Sequence, residues 1–123
     1  MIGMLSGCGG DCSSELLSSQ TSQDHRTEAA FFKKNCGATS GYVYELRVGQ
    51  STVEPLSRGL ALRFDNDHQT DWPIDDRGLI NLKWDDKSKL EVSLTQRVRV
   101  FKEEASIGGT TIVYHFKPAT SHL

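Results

Sequence analysis

Apolar and polar residues alternate along much of the chain from residue 27 onward. In residues 42–48, Tyr42, Tyr44, Leu46 and Val48 fall on one phase, and Val43, Glu45 and Arg47 fall on the other. A period of two that involves aromatic and β-branched residues is typical of a half-buried β-strand. Similar apolar positions recur in five further runs, which lie within residues 29–32, 60–64, 80–94, 98–101 and 112–116.

Turn-forming residues separate these runs. Asp85-Asp86-Lys87-Ser88 lies between two alternating segments and predicts a hairpin, and Gly108-Gly109 precedes the last segment. No part of this region sustains the period of a helix. We therefore predict an all-β fold, an antiparallel sandwich or open barrel of six to seven short strands.

The N-terminal part of the chain has a different composition. Residues 9–24 are rich in Ser, Gln, Thr and Gly, and only two leucines are available for burial. This composition predicts a flexible tether, with one helical turn at residues 15–19. The expected organisation is a leader and tether over residues 1–26, a β domain over residues 27–117, and a C-terminal tail over residues 118–123.

The sequence Leu5-Ser6-Gly7-Cys8 resembles the box at which bacterial lipoproteins are cleaved and lipidated. The resemblance implies a lipid on Cys8, attachment to the membrane, and a location in the cell envelope facing the periplasm. A secretory signal needs an apolar segment of roughly 7–15 residues, whereas only four residues precede the box. This interpretation therefore treats Met1 as a late start; if Met1 is the true start, the protein is cytoplasmic.

The chain contains three cysteines. If Cys8 carries a lipid, Cys12 and Cys36 remain as an even pair in an oxidising compartment, where disulfides persist. We expect a bridge between them that ties the tether to the domain. The alternative is a pair of free thiols, because a sequence does not show whether two Cβ atoms lie within bonding reach.

Length and charge narrow the classes of function. The chain has 123 residues, enough for one domain with one modest core, and its net charge is −2. Such a charge gives no overall attraction to nucleic acid, and none is expected as a partner. No apolar run reaches the roughly 18–20 residues that span a bilayer, so attachment to the membrane would depend on the lipid.

A second resemblance lies within the predicted domain. Cys36-Gly37-Ala38-Thr39-Ser40 and the strand that follows are similar to a group of small uncharacterised bacterial proteins marked by a Cys-Gly-Ala-Thr-Thr/Ser motif. Further similar segments include Leu82-Lys83-Trp84 and Arg99-Val100-Phe101-Lys102, and the resemblance covers residues 28–116. Many members look like lipoproteins. The resemblance therefore implies a β fold and export, but no reaction.

The loop that carries this motif contains candidate binding residues. The hydroxyl groups of Thr39 and Ser40, together with free backbone N–H groups between glycines, could hold an anion. A purely structural hairpin loop would use the same residue types, because they satisfy their own backbone groups.

A second candidate is the acidic loop with Asp65, Asp67, His68 and Trp72. Its spacing lacks the glycine and the terminal glutamate of an EF-hand, and we expect no metal there. An aromatic side chain rimmed by acids is typical of a surface that binds a protein partner. In the alternative, Trp72 folds back over the end of the sandwich.

Basic residues occupy the polar phases of several predicted strands. If these phases belong to one sheet, they form a basic face that suits an acidic partner or lipid headgroups. The alternative is the ordinary wet face of an antiparallel sheet, with Glu45 and Glu91 interspersed. The residues concerned are Arg47, Arg63, Lys83, Arg97 and Arg99.

No pattern in the sequence indicates catalysis. The four histidines lack the spacing of a zinc site, and no nucleophile is matched with a base. We expect no enzymatic activity and no cofactor. The sequence thus predicts a non-catalytic binding, inhibitory or immunity module of the cell envelope. The alternatives are a cytosolic interaction protein, for which the lipoprotein box is accidental, and a small metal-dependent enzyme.

Overall fold

A computed structural model describes residues 12–36, 42–69 and 72–123. The strands of this part of the chain form a six-stranded sheet in the order β1-β2-β3-β4-β7-β10 and a four-stranded sheet in the order β5-β6-β9-β8. They are β1 (Ser13–Thr21), β2 (Thr27–Asn35), β3 (Tyr42–Gln50), β4 (Gly59–Asp65), β5 (Ile80–Trp84), β6 (Leu90–Leu94), β7 (Arg99–Glu103), β8 (Ser106–Ile107), β9 (Thr110–His115) and β10 (Ser121–His122).

The prediction of an all-β fold is confirmed, and the two sheets have a sandwich-like arrangement that does not close into a barrel. The hairpin predicted at residues 85–88 joins β5 to β6, with Trp84 paired to Leu90. The sheets are mixed and not purely antiparallel, because β6 pairs in parallel with β9 and β7 pairs in parallel with β10. The described residues also form more strands than the six or seven that were predicted, since several have only two residues or low apolar content.

The core lies between the two sheets. Phe31, Tyr44 and Phe64 come from three neighbouring strands of the larger sheet, and their ring centroids lie 5.3–6.0 Å apart. The smaller sheet contributes Leu90 and Val92, both fully buried. Burying one such side chain contributes roughly 1.5–3 kcal/mol. The residues of the core follow the predicted period of two, because only one phase of each strand faces the other sheet.

The tether predicted over residues 9–24 is wrong for Ser13–Thr21, which form β1 at the edge of the larger sheet. The helical turn predicted at residues 15–19 is wrong for the same reason. The strand buries little of its own surface, with Leu17 its one buried residue. Pairing with β2 and a hydrogen bond from Nε1 of Trp84 to the carbonyl of Gln20 (2.9 Å) stabilise it instead.

The expected C-terminal tail also belongs partly to the sheet. Ser121 and His122 form β10, and Nε2 of His122 lies 3.1 Å from a carboxylate oxygen of Glu103. The ring of Phe116 meets that of His122 edge to face at 5.0 Å. In the part of the chain that the structure describes, no helix has the length and apolar character needed to cross a membrane.

Candidate functional site

The six-stranded sheet has an outer face that the smaller sheet does not cover. The register places Leu16, Phe32, Glu45 and Arg63 in one row across β1, β2, β3 and β4. Directly opposed residues project to the same side of a sheet. This row alternates with the core residues Phe31 and Tyr44, so its side chains point away from the second sheet.

Glu45 lies at the centre of this outer face, and its side chain has no solvent exposure. Arg63 donates to one carboxylate oxygen from Nε (3.0 Å) and Nη2 (2.6 Å). Arg47 donates to the other oxygen from Nε (3.3 Å) and Nη2 (3.0 Å), and Nζ of Lys34 lies 3.7 Å from it. Around one buried carboxylate the fold thus gathers three cations.

The protonation of Glu45 depends on two opposing effects. Burial alone would raise the pKa of Glu45, because a charged group loses hydration when it leaves water. The hydrogen bond from Arg63 and the charges of Arg47 and Lys34 outweigh that effect and hold the pKa of Glu45 below its usual value. The carboxylate is therefore ionised at neutral pH.

A shallow apolar pocket lies beside this cluster, with a volume of about 360 Å³. The Cys12–Cys36 disulfide forms one wall, with an S–S length of 2.04 Å and Cα atoms 4.2 Å apart. Phe101 forms another wall and is 37% exposed, while the guanidinium of Arg99 lies 5.2 Å from its ring centroid. The remaining lining residues are Lys34, Val43 and Arg63.

Asp65, which was predicted in the acidic loop, is the last residue of β4, and both it and Asp67 are partnered within the fold. Arg99 binds the two carboxylate oxygens of Asp65 at 3.0 and 2.5 Å, and Arg97 binds Asp67 at 2.8 Å. Among residues 12–36, 42–69 and 72–123, no group of three or more His, Cys, Asp or Glu side chains could hold a metal ion. These aspartates therefore position the loop against β7.

Trp72 was predicted either as an exposed anchor or as a residue folded back over the end of the sandwich. Its ring is partly buried against the core, and its Nε1 donates to the hydroxyl of Tyr44 at 3.1 Å. The Tyr44 hydroxyl in turn donates to Asp76 at 3.1 Å, and Lys33 binds the same carboxylate at 2.9 Å. The alternative, in which Trp72 folds back over the end of the sandwich, is the one observed. Ile74 is the fully exposed apolar residue of this loop.

The remaining predicted binding residues are His68, Thr39 and Ser40. His68 is exposed in a turn, with a positive φ of 60°. Thr39 and Ser40 lie outside the described residues, as does Cys8. The predicted disulfide between Cys12 and Cys36 is present in the structure.

The predicted basic face is only partly assembled. Arg47, Arg63 and Arg99 belong to the six-stranded sheet, whereas Lys83 lies on β5 in the other sheet. Arg97 precedes β7 and is engaged by Asp67. Acidic side chains thus partner these arginines. The excess positive charge of this face is confined to the residues around Glu45.

Sequence reasoning missed Glu45 and Phe101 as the key residues of this face. Glu45 occupies a polar phase of its strand, where exposure is the normal expectation. The signal that could have identified it is the number of basic residues on the same phase of neighbouring strands. Using that signal requires the register, because Arg63 is 18 residues away along the chain.

The chain was compared with protein families, curated proteins and solved structures. No family model, no curated protein and no solved structure matches it. The resemblance to the Cys-Gly-Ala-Thr group and the lipoprotein box therefore both stay predictions from the sequence.

Proposed function

We propose that this protein is a non-catalytic protein-binding module of the bacterial cell envelope, anchored by a lipid on Cys8. The proposed binding surface is the outer face of the six-stranded sheet, consisting of the apolar pocket and the cluster around Glu45. The observation that carries the proposal is an apolar pocket bordered by more cationic side chains than the one buried carboxylate can neutralise. Lys34, Arg47 and Arg63 surround the single carboxylate, which leaves two positive charges unbalanced.

The chemistry of this face specifies a partner. An apolar side chain of the partner fits the pocket against Val43 and Phe101, and a neighbouring carboxylate fits Arg63, whose side chain is 44% exposed. Arginine and aromatic side chains are enriched among the residues that dominate binding energy at protein interfaces. We therefore infer a protein segment that carries an acidic residue next to an apolar one.

The disulfide supports the proposed location. Cys12 and Cys36 are bonded across the start of β1 and the end of β2. Structural disulfides persist in secreted and periplasmic proteins and are rare in the cytosol. The alternative of a cytosolic interaction protein predicts reduced thiols at both positions.

Intact-mass measurement of the protein isolated from its native cells tests the location. We expect cleavage before Cys8, added mass from acyl chains on Cys8, and two further thiols that alkylate only after reduction. An unmodified chain beginning at Met1 with three free thiols would contradict the proposal and favour the cytosolic alternative.

Site-specific crosslinking tests the binding surface. Benzoylphenylalanine at position 101, expressed in the native envelope, is expected to give a crosslinked partner after irradiation. The same amino acid at Lys83, which is exposed on the other sheet, serves as the control position. The crosslinked peptide of the partner should contain an acidic residue beside an apolar one.

Two variants test the two parts of this surface, and the second of them leaves the charge cluster around Glu45 intact. Arg63→Gln removes the exposed cation, and Val43→Lys fills the pocket while leaving every contact of Glu45 in place. Each is expected to lower crosslinking at position 101 by about tenfold, as loss of one charged hydrogen bond or one apolar contact does. Equal crosslinking at position 83, no crosslink at position 101, or insensitivity to both variants would overturn the proposed surface.

A further inference from the structure

A second cleft lies at the end of the sandwich opposite the disulfide, where three turns meet. These are the turns between β1 and β2, between β5 and β6, and between β8 and β9, and we call the space between them the turn cleft. Its volume is about 450 Å³. Its lining is polar, and its charged residues are Asp24, Arg26, Asp85, Lys87 and Lys89.

The two carboxylates of the turn cleft are used by their own turns. Asp24 accepts hydrogen bonds from the hydroxyl of Ser22 at 2.6 Å and from the backbone N–H of Arg26 at 3.1 Å. Asp85 accepts from the backbone N–H groups of Lys87 and Lys89, both at 2.8 Å. These bonds lower the pKa of both aspartates, so each remains ionised and fixed in its turn.

The cations of the turn cleft are less engaged. Within the described ranges, the side chains of Arg26 and Lys87 form no ion pair, and Nζ of Lys89 lies 3.9 Å from Asp85. All three residues line the same cleft as Ser88, Thr110 and Thr111. Three cationic residues and three hydroxyl-bearing residues thus line one concave surface, and the cations outnumber its two ionised aspartates.

The turns that hold these groups have fixed backbones. Gly108 and Gly109 have φ angles of 54° and 86°, which glycine adopts without strain, and they close the β8–β9 hairpin. Ser88 has a φ of 60° in the β5–β6 turn, whose ends are joined by the bond from the Asp85 N–H to the Lys89 carbonyl (2.9 Å). The donors are therefore presented by preorganised turns, which lowers the entropic cost of binding.

We propose that the turn cleft is a binding site for a phosphate group. A guanidinium offers paired N–H donors that match phosphate oxygens, and lysines supply point charges alongside it. The threonine and serine hydroxyls would donate to the remaining oxygens. This inference is independent of the proposed protein-binding function, because it uses different residues at the other end of the domain. The source of the phosphate is either a soluble phosphate compound or a phospholipid headgroup.

Titration followed by ¹H–¹⁵N NMR tests the site, with the intact domain and inorganic phosphate as the probe in a chloride buffer of constant ionic strength. Saturable shifts are expected at the amides of Gly108, Gly109 and Thr110. In the double variant Arg26→Gln/Lys87→Gln, the Kd for phosphate should rise at least about tenfold, because two charged hydrogen bonds are lost. Arg77→Gln removes an exposed cation at the opposite end of β5 from the cleft and should leave the Kd unchanged.

A parallel set of binding measurements with phosphatidic acid vesicles identifies the source. Binding to inorganic phosphate alone indicates a soluble compound, whereas vesicle binding that is lost in the same double variant indicates a headgroup, and both support the site. No saturable shift up to about 50 mM phosphate, a range that covers even weak millimolar affinity, would overturn the proposal. An unchanged Kd in the double variant would overturn it equally.

Discussion

Replacing both Cys12 and Cys36 by serine is expected to lower the free energy of unfolding by about 3 kcal/mol. The disulfide closes a loop with a sequence separation of 24 residues, and this loop limits the conformations of the unfolded chain. Loss of the disulfide also affects the folded state, because β1 is an edge strand with one buried residue, Leu17. Without the bridge, the first residues of β1 should detach from β2 well below the global unfolding transition.

Urea denaturation monitored by tryptophan fluorescence measures the loss, with Cys8→Ser as the background for every variant so that no other free thiol interferes. The Cys8→Ser protein itself should match the wild-type domain. The slope of the transition should also increase in the double serine variant, because the unfolded chain is less compact without the closed loop. Hydrogen exchange should show the largest increase at the amides of Ser13 to Leu16. Identical midpoints with and without the disulfide would contradict this account of β1.

Glu45→Gln is expected to cost about 3 kcal/mol of stability at neutral pH. Removing one member of a buried charge cluster leaves its partners uncompensated, which typically costs 3–5 kcal/mol. The lower end applies here because the side chain of Arg63 is 44% exposed and regains hydration when the carboxylate is lost. Glu91→Gln is the matched control. Glu91 is exposed and lies opposite Lys83 in the register of β5 and β6, and its substitution should change stability by less than about 0.5 kcal/mol.

The pH dependence of stability distinguishes the contribution of the Glu45 charge from that of its side-chain packing. Its pKa in the folded protein is lowered, so the folded state binds its proton less readily than the unfolded state does. The stabilisation is therefore complete above the unfolded pKa of about 4.3 and is lost as the pH falls through the folded value. The stability difference between wild type and Glu45→Gln should be greatest above about pH 5 and should narrow in acid. A difference that stays constant down to low pH would show that packing, and not charge, is responsible.

Much of the fold follows from local pattern. The alternation in residues 42–48 correctly identified Tyr44, Leu46 and Val48 as core, because a strand buried on one side must repeat every second residue. The β5–β6 hairpin was equally accessible, since its turn residues lie between two apolar runs. By contrast, β1 could not be predicted from its own composition. Its Ser-rich sequence has little strand preference, and pairing with β2 and the disulfide stabilise it.

The candidate site was less accessible than the fold because its residues meet only through register. The pairing of Glu45 with Arg63 depends on the alignment of β3 with β4, which includes a bulge between Leu46 and Arg47. Asp65 was visible in the sequence as an acidic candidate, but its partner Arg99 lies 34 residues further along the chain. Three turns far apart in sequence line the turn cleft. Contacts of this kind are properties of tertiary structure, and local propensity carries no information about them.

The position of the disulfide determines how the domain responds to mechanical load. With free thiols, a force on the chain ahead of Cys12 would peel β1 from β2 one residue pair at a time, beginning at Ser13 and Asn35. The bridge instead transfers that force to Cys36 at the end of β2, so the smallest unit that can detach is the whole β1–β2 hairpin. That unit is held by the full length of β3, from Tyr42 to Gln50. In the proposed arrangement, in which the N-terminus is the anchored end, the bridge removes the β1 edge of the sheet from the path of the load.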